Sequence, residues 1–404
     1  MRRVVITGMG VISPIGNDIE SFWSSLQEGR SGIGPIEKVD VSHLRFKNAA
    51  EVRNFDPTAI FDEKLLFWLD PFAQYGVAAA RQALADSGLE LTDAVKDRTG
   101  VITGSCLGGK ITEDELYKKL YAEGIRRQPP VAIPKAMSNA VASQVSMEFG
   151  LTGATFTTST ACASANHAMG QAFWLIRQGT LDAAFTGASE APICTGSLHA
   201  WETMRVVSAD TCRPFSKDRS GMILGEGGAM FVFEELEAAK TRGAKIYAEI
   251  VGFGMSADAH HLTMPASAGA SKAMRLALED ANLAPEQIGY INAHGTATQA
   301  NDSNECRAIR DTFGPHADKL AISSTKSMTG HSLGAAGAIE AAATILAIKN
   351  EILPPTANYN IPDPECDLDV IPNESRPQAV DAALSNSFAF GGLNAVLAFR
   401  RFDG

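Results

Sequence analysis

The chain has 404 residues, of which 45% are hydrophobic and 20% charged, so bulk disorder is excluded. At about 100–200 residues per domain, this length allows two to four domains or one large fused unit. Its 35 basic and 46 acidic residues give a formal charge of −11. No dense Lys/Arg run marks a nucleic-acid footprint, and no uncharged apolar stretch reaches the ~18–20 residues of a membrane span.

Met1-Arg2-Arg3 precedes the apolar run Val4-Val5-Ile6-Thr7-Gly8, superficially like a signal peptide. The run is short and is broken by Gly8, Gly10 and Pro14, so it predicts a first strand over 3–8. Further strands are predicted over 99–103, 154–160, 182–187, 228–234, 245–251, 288–293, 320–324, 382–386 and 395–400. Glycine turns and apolar-periodic segments follow the β-branched runs. That alternation argues for an α/β fold with largely parallel sheets.

A weak internal echo is present. Thr155–Cys162 leads into an apolar helix, and Ala321–Ser327 does the same later. Leu181–Gly187 is echoed by Val380–Asn386. Two related halves, 1–250 and 251–404, explain both echoes; chance likeness between apolar strands is the competing explanation. The six cysteines form no CxxC pair and are too sparse for a disulfide scaffold, which suits a reducing, cytoplasmic setting.

Four segments carry chemistry. Cys162 follows the β-branched run 154–160 and precedes a segment with apolar residues at 165, 168, 169, 172, 173 and 176 that stops at Gly179. This helical spacing puts Cys162 at a strand-to-helix turn. There the helix dipole and free N–H groups favour a thiolate and can hold an oxyanion. A buried structural cysteine is the plain alternative. His294, in Asn292-Ala293-His294-Gly295-Thr296-Ala297-Thr298, ends the strand 288–293 beside two hydroxyls. It either faces a pocket or is structural.

The third segment, Lys326–Ser332, joins a strand to a helix predicted over 332–349. Small residues at Leu333-Gly334-Ala335-Ala336-Gly337-Ala338 permit close backbone packing. Glu340 interrupts this apolar surface. It lies either on a solvent face or buried, with Lys326 as its natural partner. In the fourth segment, Asn386–Asn394, Phe388 and Phe390 precede Gly391 and Gly392. This is either a mobile loop supplying an N–H and a gating side chain or an ordinary turn.

Other motifs fail. Gly8-Met9-Gly10 has Ser13 where a dinucleotide turn needs glycine, and Gly104–Gly109 lacks the ending of a phosphate loop. Asp258, His260 and His261 match no metal-ligand spacing, so no metal or other cofactor is expected. His167 reads as structural.

Taken together, TACAS, AHGTAT, STKSMTGHSLGAAGAIE and SNSFAFGG make the chain resemble the elongating β-ketoacyl-[acyl-carrier-protein] synthases of classes I and II over its whole length. Within those classes it looks like the 3-oxoacyl synthase II type. Asp210–Phe215 and Leu353–Tyr359 look like the nodulation-type branch. The resemblance implies a thiolase fold, with two βαβαβαββ halves, stacked sheets and a five-layered α-β-α-β-α architecture. It also implies a homodimer and an acyl carrier protein as partner. Cys162 would be the acylated nucleophile, His294 and His331 the paired histidines, and Lys326 and Glu340 their support. Lys326 would keep the neighbouring His331 neutral. The N–H groups of Cys162 and Phe390 would hold the oxyanion, with Phe390 as gate. Thr296, Thr298, Leu107, Trp201 and Phe388 would contact substrate. Lys64, Phe67, Trp68, Arg126, Arg127 and Arg205 would dock the carrier.

Four departures are visible. Leu393 stands where the family commonly has threonine, Trp201 where it often has phenylalanine, and Leu107 where it often has isoleucine. Asp62–Trp68 is less basic than the usual docking helix. The implied activity is decarboxylative condensation of malonyl carrier protein with a cysteine-bound acyl group, in fatty acid or specialised, polyketide-like synthesis. A coenzyme A thiolase and a non-catalytic chain-length subunit are the rivals.

Overall fold

The computed structural model describes residues 1–403. In chain order the strands are β1 (Val4–Ile12), β2 (Ile33–Pro35), β3 (Asn48–Ala50), β4 (Thr99–Gly104), β5 (Thr155–Thr158), β6 (Ala183–Glu190) and β7 (Gly227–Glu235). They continue as β8 (Ala248–Ala257), β9 (Ile288–Asn292), β10 (Ala321–Ser323), β11 (Ile352–Leu353), β12 (Arg376–Pro377), β13 (Ala382–Ala389) and β14 (Leu393–Arg400). The pairs β2–β3 and β11–β12 stand apart. The rest share the order β10-β9-β13-β14-β8-β1-β7-β6-β4-β5.

This order is a duplication. Outward from β1, the pairings with β7 and then β6 are antiparallel, and those with β4 and then β5 are parallel. Outward from β8, the pairings with β14 and then β13 are antiparallel, and those with β9 and then β10 are parallel. The two echoes in the sequence occupy matching places, β5 with β10 and β6 with β13. Position 250 lies inside β8, the strand that opens the second half. The halves stack as expected, and a short antiparallel ladder, Val4↔Ile250, Val5↔Glu249 and Ile6↔Ala248, also joins their sheets at one edge.

Helix Pro71–Ser87 covers the outer face of β1, β6 and β7, and helix Ser267–Ala281 covers β8 and β14. Helices Ser164–Arg177 and Ala336–Asn350 lie between the halves and touch strands of both. The result is five layers, helix–sheet–helix–sheet–helix. The central helices meet where a Cβ on Gly337 would lie 2.2 Å from Asn166 Oδ1.

Strand β1 runs on through Gly8 and Gly10, which the sequence reading took as breaks. A Cβ on Gly8 would sit 2.2 Å from the Ala83 carbonyl oxygen, and one on Gly10 2.0 Å from that of Ala79. In β8, Gly252 and Gly254 stand in the same relation to Ala277 and Ala273, at 2.3 and 2.1 Å. The glycines bring a helix backbone onto the strand in each half and do not end the strand. The helix expected over 332–349 opens as a 3-10 turn, Leu333–Ala335, before Ala336–Asn350. Every residue from Ala336 to Ile348 is buried. Among the described residues, no helix is long and apolar enough to cross a membrane.

Candidate active site

Cys162 sits in the tight turn between β5 and helix Ser164–Arg177. Ser164 ties the turn: its hydroxyl accepts from Thr160 N at 2.9 Å and donates to the Ala161 carbonyl at 2.7 Å. Ala161 holds φ at +49°, a left-handed conformation that is costly for a residue with a Cβ and is held by these bonds. The turn aims Cys162 at the C-terminal half. His331 Nε2 is 3.1 Å from Cys162 Sγ.

Burial pushes the Cys162 thiol up to about 11, against the opposing pull of Lys326 and of the Phe390 and Cys162 backbone N–H groups. The thiolate expected at a helix N-terminus is therefore not the resting state, because loss of water outweighs the dipole. A protonated thiol needs a base, and His331 is in place. Burial, reinforced by the Lys326 ammonium, holds His331 and His294 well below the usual imidazole range. Both rings are neutral. His331 Nδ1 has no hydrogen-bond partner among the described residues, so its proton can reside on either nitrogen.

Lys326 and Glu340 are both buried and form an ion pair. The solvent-face alternative for Glu340 is thus excluded. Lys326 Nζ also lies 3.4 Å from His294 Nδ1. Its direct histidine contact is His294, where the sequence reading placed it beside His331. The reason is topological: Lys326 follows β10, whose neighbour β9 ends just before His294. An ammonium only donates, so His294 Nδ1 accepts and its proton sits on Nε2. The two histidine rings meet edge to face with centroids 5.4 Å apart.

A cavity of about 240 Å³ opens against Cys162, His294 and His331. Phe388 and Phe390, at the end of β13 and in the turn to β14, form part of its wall, as do Thr296 and Thr298. Positive φ values of +85° and +68° at Gly391 and Gly392 allow this turn, and Gly391 N donates to the Leu262 carbonyl at 2.7 Å. The Thr296 and Thr298 hydroxyls are 2.9 Å apart. Thr298 also caps helix Gln299–Phe313. Trp201 lines the cavity and stacks on Phe390, with centroids 6.2 Å apart. Leu107 does not line it. Leu107 packs behind, in the apolar cluster that Trp201 also joins, because Glu190 accepts from Cys106 N and Leu107 N and pins that turn.

Two contributors escaped the sequence reading. Glu305 is buried and accepts from His294 N and Gly295 N, both at 2.8 Å, and from Asn386 Nδ2 at 3.2 Å. It positions the histidine turn and ties it to β13. Its signal is faint: one acid in a polar helix, three residues after the equally buried Asp302. The segment His261–Pro265, of which only His261 was weighed, and for metal binding, lines the cavity. The ligand atoms of Cys162, His294 and His331 lie within 4.8 Å of one another. A cation there would face the adjacent Lys326 ammonium.

On the surface, Phe67 and Trp68 are 52% and 43% exposed, so they are not helix core. Lys64, Arg126, Arg127 and Arg205 are exposed as well. Arg205 follows Met204, which reaches the cavity.

Residues 1–239 match the N-terminal domain of the β-ketoacyl synthases, and residues 247–360 match their C-terminal domain. The chain belongs to the β-ketoacyl synthase family. This synthase is 48% identical over 400 residues to Nodulation protein E of Rhizobium sp. (strain N33), covering 99% of each chain. It is 44% identical over 409 residues to 3-oxoacyl-[acyl-carrier-protein] synthase 2 of Staphylococcus aureus (strain N315), covering 100% of this chain and 99% of the relative. Among solved structures, the ishigamide ketosynthase/chain length factor superposes with a TM-score of 0.95 at 38% identity. AntDE:AntF, a type II ketosynthase in complex with its acyl carrier protein, superposes at 0.92 and 32%. Each structural match covers the whole of both chains.

Proposed function

We propose that this β-ketoacyl synthase is a 3-oxoacyl-[acyl-carrier-protein] synthase that extends a cysteine-bound acyl group by two carbons from malonyl carrier protein. The observation that carries the reading is the convergence of one thiol and two neutral imidazoles on one cavity, with His331 Nε2 3.1 Å from Cys162 Sγ. The first half, which ends before β8, supplies the nucleophile, and the half that β8 opens supplies the histidines and Lys326.

In the first half-reaction Cys162 Sγ attacks the acyl thioester, and its proton passes to His331 Nε2. The N–H groups of Cys162 and Phe390 hold the tetrahedral oxyanion. The carrier thiol leaves with a proton, and the acyl group remains on Sγ. Malonyl carrier protein then enters and loses carbon dioxide. His294 Nε2–H, its tautomer set by Lys326, and His331 donate to the enolate oxygen. The enolate carbon attacks the acyl carbonyl, the carbon–carbon bond forms, and Cys162 leaves as a thiolate that takes a proton from water to restore the resting thiol. Decarboxylation drives the step, so no nucleotide or metal is needed. Splitting the reaction through a covalent intermediate is ping-pong logic.

The carrier docks on Lys64, Arg126, Arg127 and Arg205, with Phe67 and Trp68 adding apolar contact. The synthase works as a homodimer, paired through β5, an edge strand with no partner on its outer side among the described residues and with Phe156 38% exposed. Six free thiols suit a reducing cytoplasm. Specialised chain synthesis is the second reading, favoured by the likeness to the ishigamide ketosynthase. A thiolase would need a second catalytic cysteine at the cavity, whereas the Cys106 thiol donates to Glu190. A non-catalytic subunit would not need Cys162.

Intact-mass analysis after incubation with acyl carrier protein tests the reading. The expected result is one acyl adduct, absent from Cys162→Ala. No adduct with any donor from two to sixteen carbons would overturn it.

A further inference from the structure

His43 and His199 lie outside the catalytic centre, exposed, and face each other across two separate segments. Their Nε2 atoms are 2.7 Å apart, and the rings stack with centroids at 4.4 Å. His199 belongs to helix Thr195–Met204, which also carries Trp201. His43 belongs to the loop between Ile36 and Lys47, whose ends are joined by Ile36 N donating to the Lys47 carbonyl at 2.8 Å.

The loop is built before it meets the helix. Lys47 Nζ folds back to donate to the carbonyls of Ser42 and Leu44, at 2.8 and 2.6 Å. Val41, Leu44 and Phe46 anchor it in the apolar cluster that includes Leu198, Met222 and Trp201. Trp201 and Met222 line the catalytic cavity. A second tie runs from Arg45 N to the Glu202 carboxylate, one helical turn beyond His199. His43 is therefore presented on a fixed frame, and the contact it makes backs the cavity wall.

Two imidazole nitrogens from separate segments, turned toward each other in water, are half the ligand set of a borderline divalent ion. Bound to one tetrahedral ion at about 2.0–2.1 Å each, such nitrogens sit roughly 3.3 Å apart. To bind the ion, the two exposed rings, now hydrogen-bonded and only 20° from parallel, give up that bond and turn until their Nε2 lone pairs converge on it. The Asp40 and Glu202 carboxylates flank the pair in sequence. The nearby Lys47 charge is turned into the loop's own carbonyls.

We propose that His43 and His199 form a two-imidazole site for a divalent ion of the zinc, nickel or copper class, and that the ion clamps the 36–47 loop to the helix carrying Trp201. Water completes the coordination. The site is independent of the condensation chemistry.

The test is calorimetric titration of the full chain with nickel chloride. Cys162 is first alkylated with iodoacetamide, because Cys162, His294 and His331 would compete for the metal. The expected result is one nickel equivalent in the alkylated parent, lost in both His43→Ala and His199→Ala. Nickel should raise the melting temperature of the parent and of neither variant. Both positions are exposed, so metal-free melting temperatures should match; the glutamine variants replace any alanine variant that melts lower. An unchanged stoichiometry in either variant places the ion elsewhere and overturns the site. Binding without a nickel-dependent rise in the parent's melting temperature overturns the clamp.

Discussion

Lys326→Met removes a buried charge while keeping an unbranched side chain one atom shorter. In the parent, the Lys326 ammonium pairs with Glu340, and both residues are no more than 1% exposed. Glu340 Oε2 already has no partner among the described residues, so the variant leaves the whole carboxylate without a donor from Lys326. Breaking a buried pair from one side costs about 3–5 kcal/mol. Replacing both partners by apolar residues, Lys326→Met with Glu340→Leu, should recover most of that loss, since apolar replacement of a buried pair is often neutral. The pH dependence has a definite sign. Burial raises the Glu340 carboxyl above the ordinary carboxylic range. A raised carboxyl gives stability that is fully present below its unfolded value of about 4.3 and is lost as pH rises through its folded value. Without the ammonium the carboxyl should rise further. The deficit of Lys326→Met should therefore be smallest near pH 4 and grow toward neutrality. Urea denaturation of parent, single and double variants across that range measures it. A single variant within about 0.5 kcal/mol of the parent at pH 7, or a double variant no better than the single, would refute the buried-pair reasoning. Both variants should lose decarboxylation even when folded, because nothing then fixes the His294 tautomer.

Cys162→Ala should abolish acyl transfer yet retain carbon dioxide release from malonyl carrier protein, because the histidines and Lys326 remain; separate assays of the two half-reactions check this. Alkylation of Cys162 by iodoacetamide should climb about tenfold per pH unit from 7 to 10, as expected for a thiol pushed up to about 11; a plateau below pH 9 would contradict it. Glu305→Ala strips the acceptor from two buried N–H groups at His294 and Gly295, at about 1–3 kcal/mol each, and should lower kcat for carbon dioxide release. Glu305→Gln, which keeps one acceptor oxygen, should fall between. Trp201→Gly should shift preference toward longer or bulkier donors by well over the ~1–3 kcal/mol that one methylene is worth, read from relative rates across donor lengths.

The duplication was legible in the sequence because the repeated elements are strands, where apolar runs survive divergence. The echoing segments at 155 and 321, and at 181 and 380, do hold matching places in the sheet. Cys162, His294, His331 and Lys326 were legible as motifs because strand ends and glycines frame them. The wiring among them was not. That Lys326 reaches His294 depends on β9 and β10 lying side by side, a pairing between residues about thirty apart that spacing does not reveal. The thiol's protonation depends on burial, which a local dipole argument leaves out. Glu305 was hidden because its task is to accept backbone N–H groups, and that task leaves no signature in neighbouring residue types. The glycines of β1 misled for a related reason: the atom that requires them belongs to a helix some seventy residues away.

The two halves differ at their outer edges. Strand β10 is buried, and the segment around Asp369 covers it: Ile322 N donates to the Asp369 carbonyl at 2.9 Å. Strand β5, its counterpart, has no such cover among the described residues, and Thr155 and Phe156 are exposed. The chain therefore has a valence of one for sheet extension. In the proposed homodimer, two copies meeting through β5 about a two-fold axis would each use the other's open edge, and no third copy could add. In that proposed pairing the covering of β10 would work as a chain terminator: a molecule that already repeats itself internally would be copied once more, and growth would stop short of a fibre.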